Sequence, residues 1–387
     1  MTLLLIITIV LYISLKDIYG DKSRKRFTMY MSIAIVFFSG FRNIWLGNDT
    51  YAYLRSMERS VETSWDDVLS VFLLRYFSPG IDGKDPGYAV YEKLFSSISA
   101  NYTAYLITVA ACTIIPMSII IYRNTETLKQ MLFTYIFYIV MFFGYVPNSA
   151  IRQSLAIGLI HFSFLFIQKK KIIPFFFIVL AASTLHKTAL IGVLFYLLYK
   201  YIKVDYLYRY ALLAFAIVLI LGNYMTNFLV GFGDVYDAYA RDYFALSGKS
   251  KPFMVIILFG GLSILSYFAP KVKGKIESQK IYITASFLVM FIVPLVRIDP
   301  SYIRLSAYFG ILYAIYISRA LESLSHKNSL VYTIIVAIFL FKGVLDDRYK
   351  FNWQYMKIND RYANVAFYSP SHDNLIKNTT YVFCTTI

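Results

Sequence analysis

Apolar runs of roughly 15–24 residues, separated by short charged breaks, occupy most of the chain. They predict helices at about 2–15, 27–41, 100–122, 131–147, 150–167, 172–185, 187–202, 207–230, 252–270, 280–297, 301–318 and 328–345. A membrane-spanning helix needs about 20 apolar residues, and runs near that length recur. The segments 172–185 and 187–202 are short and divided only by "HK", so they read as a re-entrant pair or as two tilted crossings. The predicted fold class is all-α: a polytopic integral membrane protein with about 12 transmembrane helices.

Composition agrees. Of 387 residues, 58% are hydrophobic and 16% charged, against about 25% charged in an ordinary soluble domain. Residues 1–345 are expected to form a single transmembrane domain with outer loops at 42–99 and 231–251. Residues 346–387 form an aromatic-rich tail on the outer face. The start, "MTLLLIITIVLYISL", has no basic flank and no small-residue cleavage site, so it reads as the first span.

The net charge of +16 would point to nucleic acid in a soluble protein. Here it reports topology instead, and no nucleic-acid partner is expected. With the N-terminus outside, the six short loops on the cytoplasmic side hold nineteen of the 38 Lys and Arg, and the short outer loops hold eight. Basic short loops stay in the cytoplasm. Two cysteines without zinc-type spacing argue against a metal site. The sequence has no P-loop, dinucleotide fingerprint, HExxH or DxD pair, so no cofactor, metal or sugar nucleotide is expected.

This orientation gathers the polar exceptions on one face. Arg42, Asp49, Arg152, His186, Arg297 and Arg304 all fall at outer helix ends or in outer loops. A cation inside a span costs about 2.5–3.5 kcal/mol on insertion scales and normally has a partner in the protein interior. Arg152 follows "GYVPNSA", whose Pro147 and Asn148 place it in the first turn of a helix. There its charge adds to that of the free backbone N–H groups, a setting for an anion such as a diphosphate. Snorkelling to the headgroups is the alternative. Arg297 and Arg304 flank Pro300 across a tight hairpin and repel each other unless an anion lies between them. His186 is either an interfacial residue at a turn or a proton carrier. Asp49, in "GNDTYAY", is either a helix cap or a carboxylate accepting a sugar hydroxyl proton. His161 is about 180° round its helix from Arg152 and reads as structural, bonded to a neighbouring helix. Tyr51, Tyr53, Tyr236, Tyr239 and Tyr308 are glycan-stacking candidates, the middle pair within "GFGDVYDAYARDYF", which reads equally as an interfacial amphipathic helix.

The order "GNDTYAY", "DPGYAVYEKLF", "NSAIRQSLA", a basic turn, "STLHKTALI" and "IRLSAYF" resembles the EpsG-like group of Wzy-type polysaccharide repeat-unit polymerases over about Phe41 to Tyr313. Asn48 and Thr188 depart from that group's commoner residues but stay polar. The resemblance implies a GT-C-like membrane fold in the bacterial inner membrane. It implies polymerisation of undecaprenyl-diphosphate-linked oligosaccharide at the periplasmic face, with the lipid diphosphate as leaving group, into O-antigen, capsule or exopolysaccharide. Membrane lipid is then a partner, and a chain-length regulator protein is an expected one. By this route Arg42, Asp49, Arg152, Gln153, His186 and Arg304 carry over: His186, Asp49 and Arg152 as catalytic candidates, and Arg42, Arg152, Gln153 and Arg304 as diphosphate ligands, to which the hairpin reading adds Arg297. A flippase of lipid-linked oligosaccharides, an O-antigen ligase and a membrane acyltransferase are the rival readings. The apolar inner halves of the spans disfavour the flippase.

Overall fold

The computed structural model describes residues 2–18, 20–42, 50–77, 85–144, 146, 148, 150–207, 253–268, 279–297 and 302–325, with positions 209, 210, 212, 213, 215–217 and 220 beside them. Every regular element among them is helical. In chain order these are α1 (Thr2–Leu15), α2 (Asp21–Gly40), α3 (Thr50–Glu62), α4 (Trp65–Phe77), α5 (Pro86–Ser96), α6 (Tyr102–Asn124), α7 (Leu128–Tyr138), α8 (Ile151–Gln168), α9 (Ile172–Leu185), α10 (Ile191–Tyr201), α11 (Phe253–Phe268), α12 (Lys280–Ile292) and α13 (Ile303–Ser325). A π-helical turn, Ile139–Phe143, extends α7. The predicted spans at 207–230 and 328–345, the outer loop 231–251 and the tail 346–387 lie wholly or mostly outside the described residues.

Local chemistry sets the helix ends. Asn101 accepts the Ala104 N–H at 3.0 Å and starts α6. Thr127 accepts the Gln130 N–H at 3.1 Å and starts α7. Both are side-chain caps satisfying orphan donors of a first turn. Proline occupies the first position of α5, where its missing N–H costs nothing. Two helices run further than their apolar stretches. Helix α2 begins at Asp21, whose carboxylate takes Arg24 and Lys25 one turn on, at 3.3 and 3.2 Å. Helix α13 continues to Ser325 because the charges ending its apolar run are partnered, as described below.

The central packing is α2 on α6, α6 on α8 and α8 on α9, with α12 paired to α13 and α13 leaning on α7. Gly158 lets α8 approach closely, because a Cβ there would collide with the Cys112 carbonyl of α6. Outward faces stay apolar at helical spacing. Met29, Ile33 and Phe37 are exposed on α2, as are Ile173, Phe177 and Leu180 on α9. Unbroken apolar faces of this kind suit lipid rather than water.

Two described helices, Tyr102–Asn124 and Ile151–Gln168, are both long and apolar enough to cross a membrane. Several other apolar helices are shorter, such as the 14 residues of α1 and of α9, which span about 21 Å at 1.5 Å per residue. The expectation of about 12 crossings is therefore met only at the coarser level of an all-helical fold with apolar helices. The short pair at 172–202 is α9 and α10, joined through extended His186 and a single 3₁₀ turn, Lys187–Leu190.

One end of the bundle is tied by a polar network. Arg319 donates to the Gln279 side chain and the Asn124 carbonyl, each at 2.6 Å, and covers the Tyr282 ring at 4.5 Å. Asn124 Oδ1 accepts from Gln168 at 2.6 Å and Tyr282 at 2.5 Å. Glu322 accepts from Thr127 at 2.7 Å and Gln130 at 2.5 Å. These bonds join the ends of α6, α7, α8, α12 and α13. The opposite ends carry the candidate site.

Candidate functional site

The site forms where three helices from the 42–99 region meet the starts of α6 and α8 and the end of α9. A small core of Tyr53, Met57, Tyr88, Tyr102, Tyr105, Leu106, Val109, Ile151 and Leu155 holds α3 and α5 against the membrane helices. Gly87 brings α5 directly onto α9, since a Cβ there would strike the Thr184 side chain.

Those contacts fix Asp85. Its backbone is left-handed, φ 55° and ψ 66°, a conformation that aspartate tolerates better than most residues. It stands at the cap position of α5 but makes no capping bond. Instead Oδ2 pairs with Arg152 Nη1 at 3.2 Å and His186 Nδ1 at 3.1 Å, while Oδ1 accepts the Lys187 N–H at 3.3 Å. The carboxylate is nearly enclosed, at 6% side-chain exposure, whereas Arg152 and His186 each keep 29%. Burial alone would raise the Asp85 carboxyl, but the His186 hydrogen bond, the charges of His186 and Arg152 and the Lys187 N–H together hold it below its ordinary value.

A carboxylate can only accept, so Nδ1 of His186 is the donor in this pair. A neutral His186 then carries its lone pair on Nε2, the arrangement of an oriented general base. Arg152 lies over the rings of Tyr53 and Tyr88, at 5.7 and 5.8 Å to their centroids. Its charge is thus matched by Asp85, a partner the chain itself supplies rather than a bound diphosphate.

Arg42 is the opposite case. It is 0% exposed, and Nη1 donates to the Ser39 carbonyl at 2.6 Å. Nε and Nη2 have no hydrogen-bond partner among the described residues. Tyr102 and Tyr105 are near enough to interact with its charge. A buried cation without a carboxylate is costly unless an anion joins it. Arg304 likewise makes no ion pair among the described residues. Its carbonyl accepts from Gln153 Nε2 at 2.9 Å, which ties α13 to α8. Tyr308 is fully buried and shares a hydrogen bond of 2.9 Å with Thr188, so it braces the His186 turn and offers no face to a ligand.

The structure therefore links Arg152, His186, Gln153 and Arg304 through Asp85 and the α8–α13 contact. Asp49, Tyr236 and Tyr239 lie outside the described residues, as do the side chains of Tyr51 and Arg297. His161 is buried against the Ala307 backbone of α13, the neighbouring-helix setting that the sequence predicts, although neither ring nitrogen reaches good hydrogen-bond geometry. Among the described residues no three His, Cys, Asp or Glu side chains gather as a metal site.

Beside Arg152 a cavity of about 330 Å³ opens between α3, α5 and α8, with Tyr53, Arg59, Asp85, Tyr88 and Glu92 on its wall. Glu92 and Asp85 are the residues that sequence reasoning passed over, although both stand in "DPGYAVYEKLF". A family model described as the EpsG family matches residues 25–346. The chain belongs to the EpsG family. No curated protein and no solved structure matches it. As an EpsG-family member it is a membrane protein with a glycosyltransferase-like, polysaccharide-polymerase type of function. The EpsG-family match runs through both halves of the site, from Arg42 to Arg304.

Proposed function

We propose that this EpsG-family protein joins undecaprenyl-diphosphate-linked oligosaccharide repeat units at the periplasmic face of the bacterial inner membrane, which it crosses many times. The observation that carries the reading is the His186–Asp85 pair at 3.1 Å, whose carboxylate also takes Arg152 and borders a cavity. In the reaction an acceptor hydroxyl oxygen attacks the anomeric carbon of the donor glycan. The bond from that carbon to the diphosphate oxygen breaks, its electron pair leaves on the diphosphate, and the hydroxyl proton passes to His186 Nε2. Asp85 holds the imidazole in the required tautomer and stabilises the cation that forms.

The leaving group needs positive charge that no carboxylate among the described residues already matches. The partly exposed Arg304 supplies it, Arg152 is shared with Asp85, and the fully buried Arg42 joins only if the donor's binding uncovers it. Stabilising charge that develops on a leaving group is usually the largest catalytic contribution available. A neighbouring chain-length regulator would set how many transfers occur before release.

Deletion in the native host, with surface glycan resolved by length, tests the reading. The expected result is glycan stopped at one repeat unit. Lipid-linked units trapped on the inner leaflet would mark a flippase instead, and long unattached chains a ligase. Complementation with His186→Ala is expected to lower the polymerisation rate by about 10²–10⁴, the usual worth of a general base, at unchanged protein abundance.

A further inference from the structure

The cavity between α3, α5 and α8 holds more chemistry than proton transfer requires. Glu92 is 3% exposed, and its Oε2 accepts the Ser56 hydroxyl at 2.7 Å. Its Oε1 makes no hydrogen bond of good geometry among the described residues, although the Tyr88 hydroxyl lies beside the carboxyl. Burial pushes the Glu92 carboxyl up from its ordinary value, and the neighbouring Tyr88, Ser56 and arginines only partly offset this. A buried carboxyl with an idle oxygen calls for a donor from elsewhere.

Charge decides what kind of donor. Arg59 and Arg152 share the cavity wall with Asp85 and Glu92, so opposite charges nearly cancel and two carboxylates face the same space. A diphosphate finds no net positive charge there, and an apolar ligand would offer Glu92 Oε1 no donor. A neutral polyhydroxylated ring satisfies every wall: its hydroxyls donate to carboxyl oxygens and accept from guanidinium groups. Small-ligand pockets run from about 300 to 1,000 Å³, and 330 Å³ lies at the low end, the size for a terminal sugar rather than a whole repeat unit. Asp85 borders the cavity and also holds His186, so a hydroxyl of the bound ring sits next to the proposed base.

We infer that this cavity is the acceptor-sugar subsite, with Glu92 and Ser56 selecting the sugar by the hydroxyls they bind. The inference rests on the polymerase reading above for the identity of the acceptor. It separates two functions within one site: cations without a carboxylate partner among the described residues take the donor's diphosphate, and the charge-balanced cavity takes the acceptor glycan.

The test uses the full chain in lipid nanodiscs and two probes. One is the repeat-unit oligosaccharide released by mild acid from the host's own lipid carrier. The other is undecaprenyl diphosphate carrying no sugar. Glu92→Ala should weaken oligosaccharide binding by about tenfold or more, and Ser56→Ala by about fivefold, in keeping with lost hydrogen bonds to a charged or buried partner. Both variants should bind undecaprenyl diphosphate as the wild type does. Oligosaccharide affinity within about twofold of wild type in a folded variant overturns the inference, as does an equal loss for both probes, which would mark a structural role. Should Glu92→Ala not survive extraction, Ser56→Ala decides alone. Normal chain length in the deletion strain sinks the polymerase reading, whereas oligosaccharide affinity indifferent to Glu92 and Ser56 sinks this subsite only.

Discussion

Asp85 holds His186, balances an arginine and anchors a turn with one carboxylate. Asp85→Asn is expected to lower polymerisation by about 10²–10⁴, because an amide in that place no longer dictates which imidazole nitrogen carries the proton. The same carboxyl contributes to stability. Its value in the folded chain is depressed, so the contribution is present above the ordinary value near 3.9 and lost as pH falls through the lower folded value. Melting curves of the Asn variant should lack that acid-side decline. The sequence displayed the arginine and the histidine, since each is a polar exception at the edge of an apolar run. It hid Asp85, because "DPG" reads as a turn and the partners lie 67 and 101 residues away. No local spacing exposes such a pairing.

Helix α5 is the element on which the site depends. It is short and lies in the loop region, and its position comes from Gly87 resting on the end of α9. Gly87→Ala should push α5 away from His186, cost about 1–3 kcal/mol of stability through overpacking, and lower activity more than abundance. Gly261→Ala is the matched control, since a Cβ there meets nothing among the described residues, and should leave activity unchanged and stability no lower. Thermal melting in detergent together with glycan length checks both variants. Element positions were largely legible: α1 and α9 coincide with their apolar runs. What apolar pattern could not show is that α2 and α13 continue through charged residues. Arg319 and Glu322 look like a helix end in sequence, yet each is matched by groups on other helices.

At the scale of the whole molecule the polar ends sort onto two faces, one closed by the Arg319–Asn124–Tyr282 network and one carrying the cavity. Cysteine labelling tests which face is outside. In a background lacking Cys112 and Cys384, a cysteine replacing Ile98, which is 80% exposed, should react with an impermeant maleimide in intact spheroplasts. A cysteine replacing exposed Lys170, in the turn after α8, should react only after lysis. The reverse pattern overturns the orientation. Arg42 adds a consequence for the cell. Its guanidinium is enclosed, with Nε and Nη2 unbonded among the described residues, so on the proposed reading a bound diphosphate steadies the fold. Added undecaprenyl diphosphate should raise the melting temperature of the extracted protein, and Arg42→Met should erase that rise. Bacteria starved of their polyprenyl carrier would then lose this polymerase early, so that its abundance follows the supply of the lipid it unloads.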